Sequence, residues 1–285
     1  MNQLYIGIFR QLAPLVVIGL ACASSISAQK PKAEDIVAKH LESIGTIDDR
    51  KKIQNQTATG SVEYTALRRA TGGSGRMVIA SEGSKLLFGM TFTIPSYPAE
   101  TVIFDGKNAR IAFAISNARS ELGDFLYRYK SDIVHEGLLG GTLSHAWPLT
   151  DLPGRRAKVS MNGSKKIDCK QTFVLSYLAK GGSDLEISLY IDQTTYEHVR
   201  TEYRRVISSI IGPSPDASAQ QREQRQTMIE DFSDYRKENG LNLPHAYRAY
   251  IRMEGAAGVR EYEYKAQFSD FFFNQPLDPN SFELR

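Results

Sequence analysis

The chain has 285 residues, 24% of them charged, and a formal net charge of only +3. So even a balance excludes the dense basic footprint that a nucleic-acid partner requires. The length allows one large or two small domains, and no Pro/Ser-rich linker splits it into halves with separate cores, so one domain over residues 29–285 is expected.

Residues 1–28 read as a targeting segment. Arg10 supplies a thin positive start, residues 12–23 are apolar but too few to span a bilayer, and Ile26-Ser27-Ala28 offers a cleavage site before Gln29. The alternative is a lipoprotein signal, with Gly19-Leu20-Ala21 ahead of an acylated Cys22 that anchors the protein to the envelope. Gly19 departs from the branched apolar residue favoured at that position, which weights the reading towards soluble export to the periplasm. Loss of the segment removes Arg10 and leaves a net charge of about +2. Cys22 and Cys169 are the two cysteines, so cleavage leaves one thiol and no intramolecular disulfide. Cys169 opens a strand with no adjacent histidine and is expected as buried filler.

The spacing predicts a helix over residues 32–45. Ile36, Val37, Leu41 and Ile44 form one apolar stripe, Glu34 and Asp35 suit the first turn, and Gly45 suits the stop. A short second helix is expected over 48–54. Strands follow at 56–67 and 75–81 around a Gly72-Gly73-Ser74-Gly75 turn, at 85–93, at 100–104 beyond the proline-bounded loop 94–98, and at 109–115 across Asp105-Gly106-Lys107. Hairpin after hairpin without long intervening helices makes an antiparallel meander.

Residues 121–144 interrupt it. Leu122, Phe125, Leu126, Tyr129 and Ile133 recur at intervals of one, three and four, which predicts a long helix, with the sole tryptophan, Trp147, in its exit loop. Strands resume at 156–161, 169–178, 185–192 and 199–206. The polar stretch 212–225 then breaks the pattern and is expected either as an idle insertion at the sheet's edge or as a flap whose apolar shoulder, Val206, Ile207, Ile210 and Ile211, borders a ligand entrance. Residues 228–236 and 244–253 form a hairpin about Asn239-Gly240, a pair that supplies the positive φ of a tight turn. In its return strand His245, Tyr247, Ala249, Ile251 and Met253 share one face, and Arg248 and Arg252 the other. The last strand, 260–272, alternates Tyr262, Tyr264 and Phe268 against Glu261, Glu263, Lys265 and Gln267. One face of the sheet is covered and the other is wet.

Y-x-D-x-x-T at 190–195, D-Y-R at 234–236, G-L-N-L-P at 240–244 and N-x-P-L-D-P-x-x-F at 274–282 together resemble the LolA/LolB-like periplasmic lipoprotein-carrier superfamily. The chain looks, more narrowly, like outer-membrane lipoprotein-sorting proteins, and GLLGG at 137–141 leading to AWPL at 146–149 is similar to the same group. The resemblance implies a half barrel with an acyl chain held between the concave sheet face and the helices.

Chemical motifs are mostly missing. His40, His135, His145, His198 and His245 stand at no metal-ligand spacing, and there is no H-E-x-x-H, C-x-x-C, G-x-S-x-G or phosphate loop. No catalytic residue, metal or cofactor is expected. Glu230 and Asp231 are adjacent on a strand, so they point to opposite faces and cannot share acid–base work; a solvated sheet face is the expected setting. The aromatics offer more. Phe88, Phe92, Phe104, Phe113, Tyr177, Phe232, Tyr247, Tyr262 and Phe268 are spread over most strands. Singly each reads as core, but as a set they are candidates for lining an apolar cavity that accepts an acyl chain.

The expected fold is α+β: a highly curved antiparallel sheet, an open or half barrel, with helices packed in its concave face, against a closed lipocalin-like barrel as the rival. The expected function is non-enzymatic binding of a lipid or lipidated protein in the periplasm, with an envelope protein as a further partner and transient contact with the membrane. The alternatives are a structural envelope protein with a filled interior, a subunit docked on a transporter, and an enzyme on the same scaffold.

Overall fold

Period-two alternation through most of the chain produces one antiparallel sheet. The computed structural model describes residues 31–208 and 223–283 and places twelve strands in them: β1 (Asn55–Ala66), β2 (Thr71–Glu82), β3 (Lys85–Ile94), β4 (Tyr97–Phe104), β5 (Ala109–Ile111), β6 (Lys158–Ile167), β7 (Lys170–Leu178), β8 (Glu186–Asp192), β9 (His198–Ile207), β10 (Gln224–Glu238), β11 (Leu241–Gly255) and β12 (Gly258–Phe273). Their spatial order is β5-β4-β3-β2-β1-β12-β11-β10-β9-β8-β7-β6. The sheet is curved and does not close, so the half barrel forms and the closed rival does not.

Neighbouring strands are sequence neighbours everywhere except at β1 and β12, which pair in the middle of the sheet. The chain therefore enters at the centre, walks out to the β5 edge, and must traverse the covered face to start again at the β6 edge. Residues 112–157 make that crossing, through α3 (Glu121–Arg128), α4 (Lys130–Ile133), 3₁₀ turns at Gly141–Leu143 and Pro148–Thr150, and α5 (Leu152–Arg155). Two helices precede the sheet, α1 (Ala33–Ile44) and α2 (Ile47–Lys52). The core lies between the covered face and these segments, with Ile79, Phe88, Leu126, Ile133, Leu138 and Leu143 essentially inaccessible.

The expected long helix over residues 121–137 is broken. α3 ends at Tyr129, and beyond α4 the backbone is left-handed at Gly137, Gly140 and Gly141, with φ of 72, 81 and 54°. A side chain at Gly141 would place its Cβ 2.7 Å from Phe232 Cζ, so the segment presses flat onto the sheet there. The apolar residues keep their burial while the backbone abandons the helix.

The first hairpin turns earlier than expected, at residues 67–70, where Ala70 takes φ 48°. The glycines of the expected turn lie inside β2 instead. A Cβ at Gly75 would lie 1.7 Å from Thr91 O, so this glycine permits the close approach of β3. Cys169, expected to be buried, is exposed in the β6–β7 turn. Of the expected flap, residues 212–222 lie outside the described residues, as do the targeting segment and Cys22. β10 already begins at Gln224, within the range assigned to that flap.

The wet face is tied across four strands by charge. Asp231 on β10 meets Arg200 of β9 at 2.5 Å and Arg248 of β11 at 2.7 Å, and Arg248 reaches Glu263 of β12 at 2.6 Å. The free β6 edge carries Lys158, Lys165 and Lys166, a charge pattern that discourages pairing with another chain.

Candidate functional site

α1 is the wall shared by two clefts. Its acidic first turn, Glu34 and Asp35, complements the helix dipole. Ile36, His40 and Ile44 point into the core, while the i, i+4 stripe of Ala33, Val37 and Leu41 faces the larger cleft. That cleft has a volume of ≈ 1200 Å³. Val37 and Leu41 form one side, Leu152 of α5 one end, and Val159, Tyr177 and Ile187 of β6, β7 and β8 the floor. Glu34, Lys158 and Glu186 stand among its lining residues. Tyr177 is fixed in place because its hydroxyl donates to Glu136 at 2.5 Å. The smaller cleft, ≈ 530 Å³, lies on the other flank, between α1, α2, the crossing segment and the start of β11.

The predicted aromatics are not brought together around one space. Phe88, Phe92, Phe104, Phe232, Tyr247 and Phe268 are all buried in the core. Tyr177 is the member of the set that borders the larger cleft. Tyr262 is half-buried and stacks on Tyr64 with ring centroids 6.3 Å apart. Phe113 is 53% exposed, and the Arg119 guanidinium lies between its ring and that of Tyr127, at 4.4 and 4.0 Å from the two centroids. Of the stripe read from the sequence, Val37 and Leu41 face this cleft while Ile36 and Ile44 turn to the core, and the partners on β6 to β8 are not visible there.

The covered face also holds polar groups that sequence reasoning misplaced. Glu230 is not on a solvated face: its side chain is wholly buried, while its neighbour Asp231 points out. Burial pushes the Glu230 carboxyl up to about 7, against the downward pull of three donors. Those donors are the Gly140 backbone N–H at 2.8 Å, Tyr203 Oη at 2.7 Å and Tyr247 Oη at 2.9 Å. Glu100 of β4 repeats the arrangement, with Tyr97 Oη at 2.7 Å and Ser120 Oγ donating to it; burial again raises its carboxyl. A third group joins helix, crossing segment and sheet. Trp147 Nε1 donates to His40 Nε2 at 2.9 Å, and the indole packs on the His198 ring with centroids 4.6 Å apart. Burial lowers His40 to about 4 and holds His198 well below its ordinary range.

Buried, shifted carboxylates and imidazoles of this kind belong to active sites when they face a substrate space. Glu230, Glu100, His40 and His198 line neither cleft beside α1. Glu230 bonds Gly140 of the crossing segment and Tyr203 and Tyr247 of the sheet, and His40 bonds Trp147, which pins that segment to the sheet. Glu100 Oε1 and His198 Nδ1 are buried with no hydrogen-bond partner among the described residues. Among the described residues no group of three or more His, Cys, Asp or Glu side chains is placed to hold a metal ion, and no helix is long and apolar enough to cross a membrane.

No family model matches the chain, and no curated protein does. Among solved structures it is similar to a LolA superfamily protein from Nitrosomonas europaea, with TM-score 0.45 and 14% identity over 88% of this chain and 97% of that one. It is similar to a DUF1329 family protein from Desulfovibrio piger, with TM-score 0.44 and 11% identity over 87% and 95%. A domain described as outer membrane lipoprotein-sorting, from Vibrio parahaemolyticus, gives TM-score 0.42 and 13% identity over 87% and 97%.

Proposed function

We propose that residues 29–285, exported to the periplasm after loss of residues 1–28, form one domain that binds the acyl chain of a lipid or lipidated protein without chemical turnover. The observation that carries this is the cleft of ≈ 1200 Å³ between α1, α5 and the β6 side of the open sheet. Ligand pockets commonly enclose about 300–1,000 Å³, so the space is ample for an extended chain. Val37, Leu41, Leu152, Val159, Tyr177 and Ile187 offer it aliphatic and aromatic surface. Each methylene moved there from water contributes about 0.8 kcal/mol with no directional chemistry. The charged groups among the lining residues suit a headgroup or the first residues of a lipidated chain. A partner in the envelope and brief contact with a membrane follow as the means of loading and unloading.

Two measurements test the proposal. Native mass spectrometry of the gently purified exported protein should show co-purifying lipid. Val159→Glu, at a half-buried position on the edge strand, should weaken uptake of a fluorescent fatty acid at least about tenfold while leaving the circular dichroism unchanged. Wild-type protein that carries no lipid and takes up no fatty acid would favour a filled structural scaffold instead, the reading that the buried aromatics support. Uptake that survives Val159→Glu unaltered would remove this cleft as the binding site.

A further inference from the structure

The smaller cleft differs from the larger one in its charge. Leu41, Ile44, Ile53, Trp147 and Leu243 wall it, and Arg50 and Lys51 of α2 edge it. No aspartate or glutamate lines it, whereas Glu34 and Glu186 line the larger cleft. Arg50 is held through Nε, which donates to Gly45 O at 3.2 Å. Glu42 of α1 acts on it only through space. Among the described residues neither Arg50 nor Lys51 forms an ion pair, which leaves the terminal guanidinium nitrogens free of a carboxylate beside an apolar slot. Such a fork fits a compact oxyanion with two parallel hydrogen bonds. A volume of ≈ 530 Å³ suits one chain rather than two.

We propose that this cleft is a second binding site, taking a single-chain amphiphile with a compact oxyanion head, carboxylate or phosphate monoester. The chain lies against Ile44, Ile53, Trp147 and Leu243, and the head sits on Arg50 with Lys51 beside it. The site is separate from the larger cleft and does not depend on what that cleft binds.

Isothermal titration of the exported protein tests it, with dodecanoate, dodecyl phosphate and dodecyltrimethylammonium as probes below their micellar concentrations. Either anion should bind at least about tenfold more tightly than the cation, and the stronger of the two identifies the head. Arg50→Gln should weaken the anions about tenfold, the scale of a charge-assisted hydrogen bond. Because Arg50 also touches Gly45, Lys51→Glu serves as the second variant: Lys51 is exposed, and its reversal should weaken anions without affecting the fold. Val159→Glu should leave this binding intact. Equal affinity for the cation, or wild-type affinity in both α2 variants, overturns the proposal. If Val159→Glu abolishes anion binding while the α2 variants retain it, the ligand occupies the larger cleft and only the second site fails. The reverse pattern, together with no effect of Val159→Glu on fatty-acid uptake, retains the second site and removes the first.

Discussion

Glu230→Gln should abolish a loss of stability that the wild-type protein suffers on going from about pH 6 to pH 8. Burial raises the folded carboxyl to about 7, from 4.5 when unhindered. In that interval the folded protein holds a proton that the unfolded chain has released. The stabilising contribution is therefore complete below the unfolded value and disappears as pH rises through the folded one. At about 1.4 kcal/mol per pH unit, the variant should gain about 1–1.5 kcal/mol on wild type across this range. Glutamine keeps an acceptor for the Gly140 N–H and mimics the protonated acid, so the fold should survive. His40 acts in the opposite sense. Its folded value lies at about 4, so its contribution is present above its unfolded value of 6.5 and lost as pH falls below it, and His198 shares that direction. Wild-type stability should accordingly peak near neutrality. Glu230→Gln should flatten the alkaline limb and, because the carboxyl contribution already falls from about pH 4.5, steepen the acid limb. Urea denaturation of both proteins at several pH values checks this. A stability difference that does not change with pH would mean that Glu230 is not raised.

What could be read from the residues follows from how local the determining interaction is. Strand alternation needs only neighbours two positions apart, and in β11 Tyr247, Ala249 and Ile251 are buried while Arg248 and Arg252 face out, as expected. The helix over 32–45 and the turn at Asn239-Gly240 rest on equally local signals, and both form. Glu230 could not be placed in this way. Beside Asp231 it reads as part of a charged surface; its burial is made tolerable by Tyr203 and Tyr247 on flanking strands and by a backbone amide ninety positions away. The crossing segment misleads for a related reason. Its apolar spacing records burial against a curved sheet, and helical periodicity is one of several ways to achieve that. The larger cleft likewise arises where α1 faces β6 to β8, a juxtaposition set by the topology and absent from either segment alone.

Trp147→Ala should be the most damaging single truncation, because Trp147 ties three layers at once. It is 2% exposed, its ring packs on His198 of β9, and its indole N–H satisfies His40 of α1. Removing a buried tryptophan side chain costs about 3–5 kcal/mol, and an unpaired His40 nitrogen adds about 1–3 kcal/mol. A total in that range approaches the whole stability of an ordinary domain. Trp147→Phe separates the two contributions: it fills much of the volume but donates no hydrogen bond, so a loss of about 1–3 kcal/mol is expected. Trp147 is the sole tryptophan, so unfolding must be followed by circular dichroism rather than by its fluorescence. Because Trp147 also walls the smaller cleft, an Ala variant that still folds should bind a hydrophobic dye more strongly there. A loss below about 1 kcal/mol in Trp147→Ala would show that the crossing segment is held to the sheet mainly through Gly140 and Glu230. In that event α1, released from its tie to Trp147, would be the element most free to move and so to open the clefts on its two flanks.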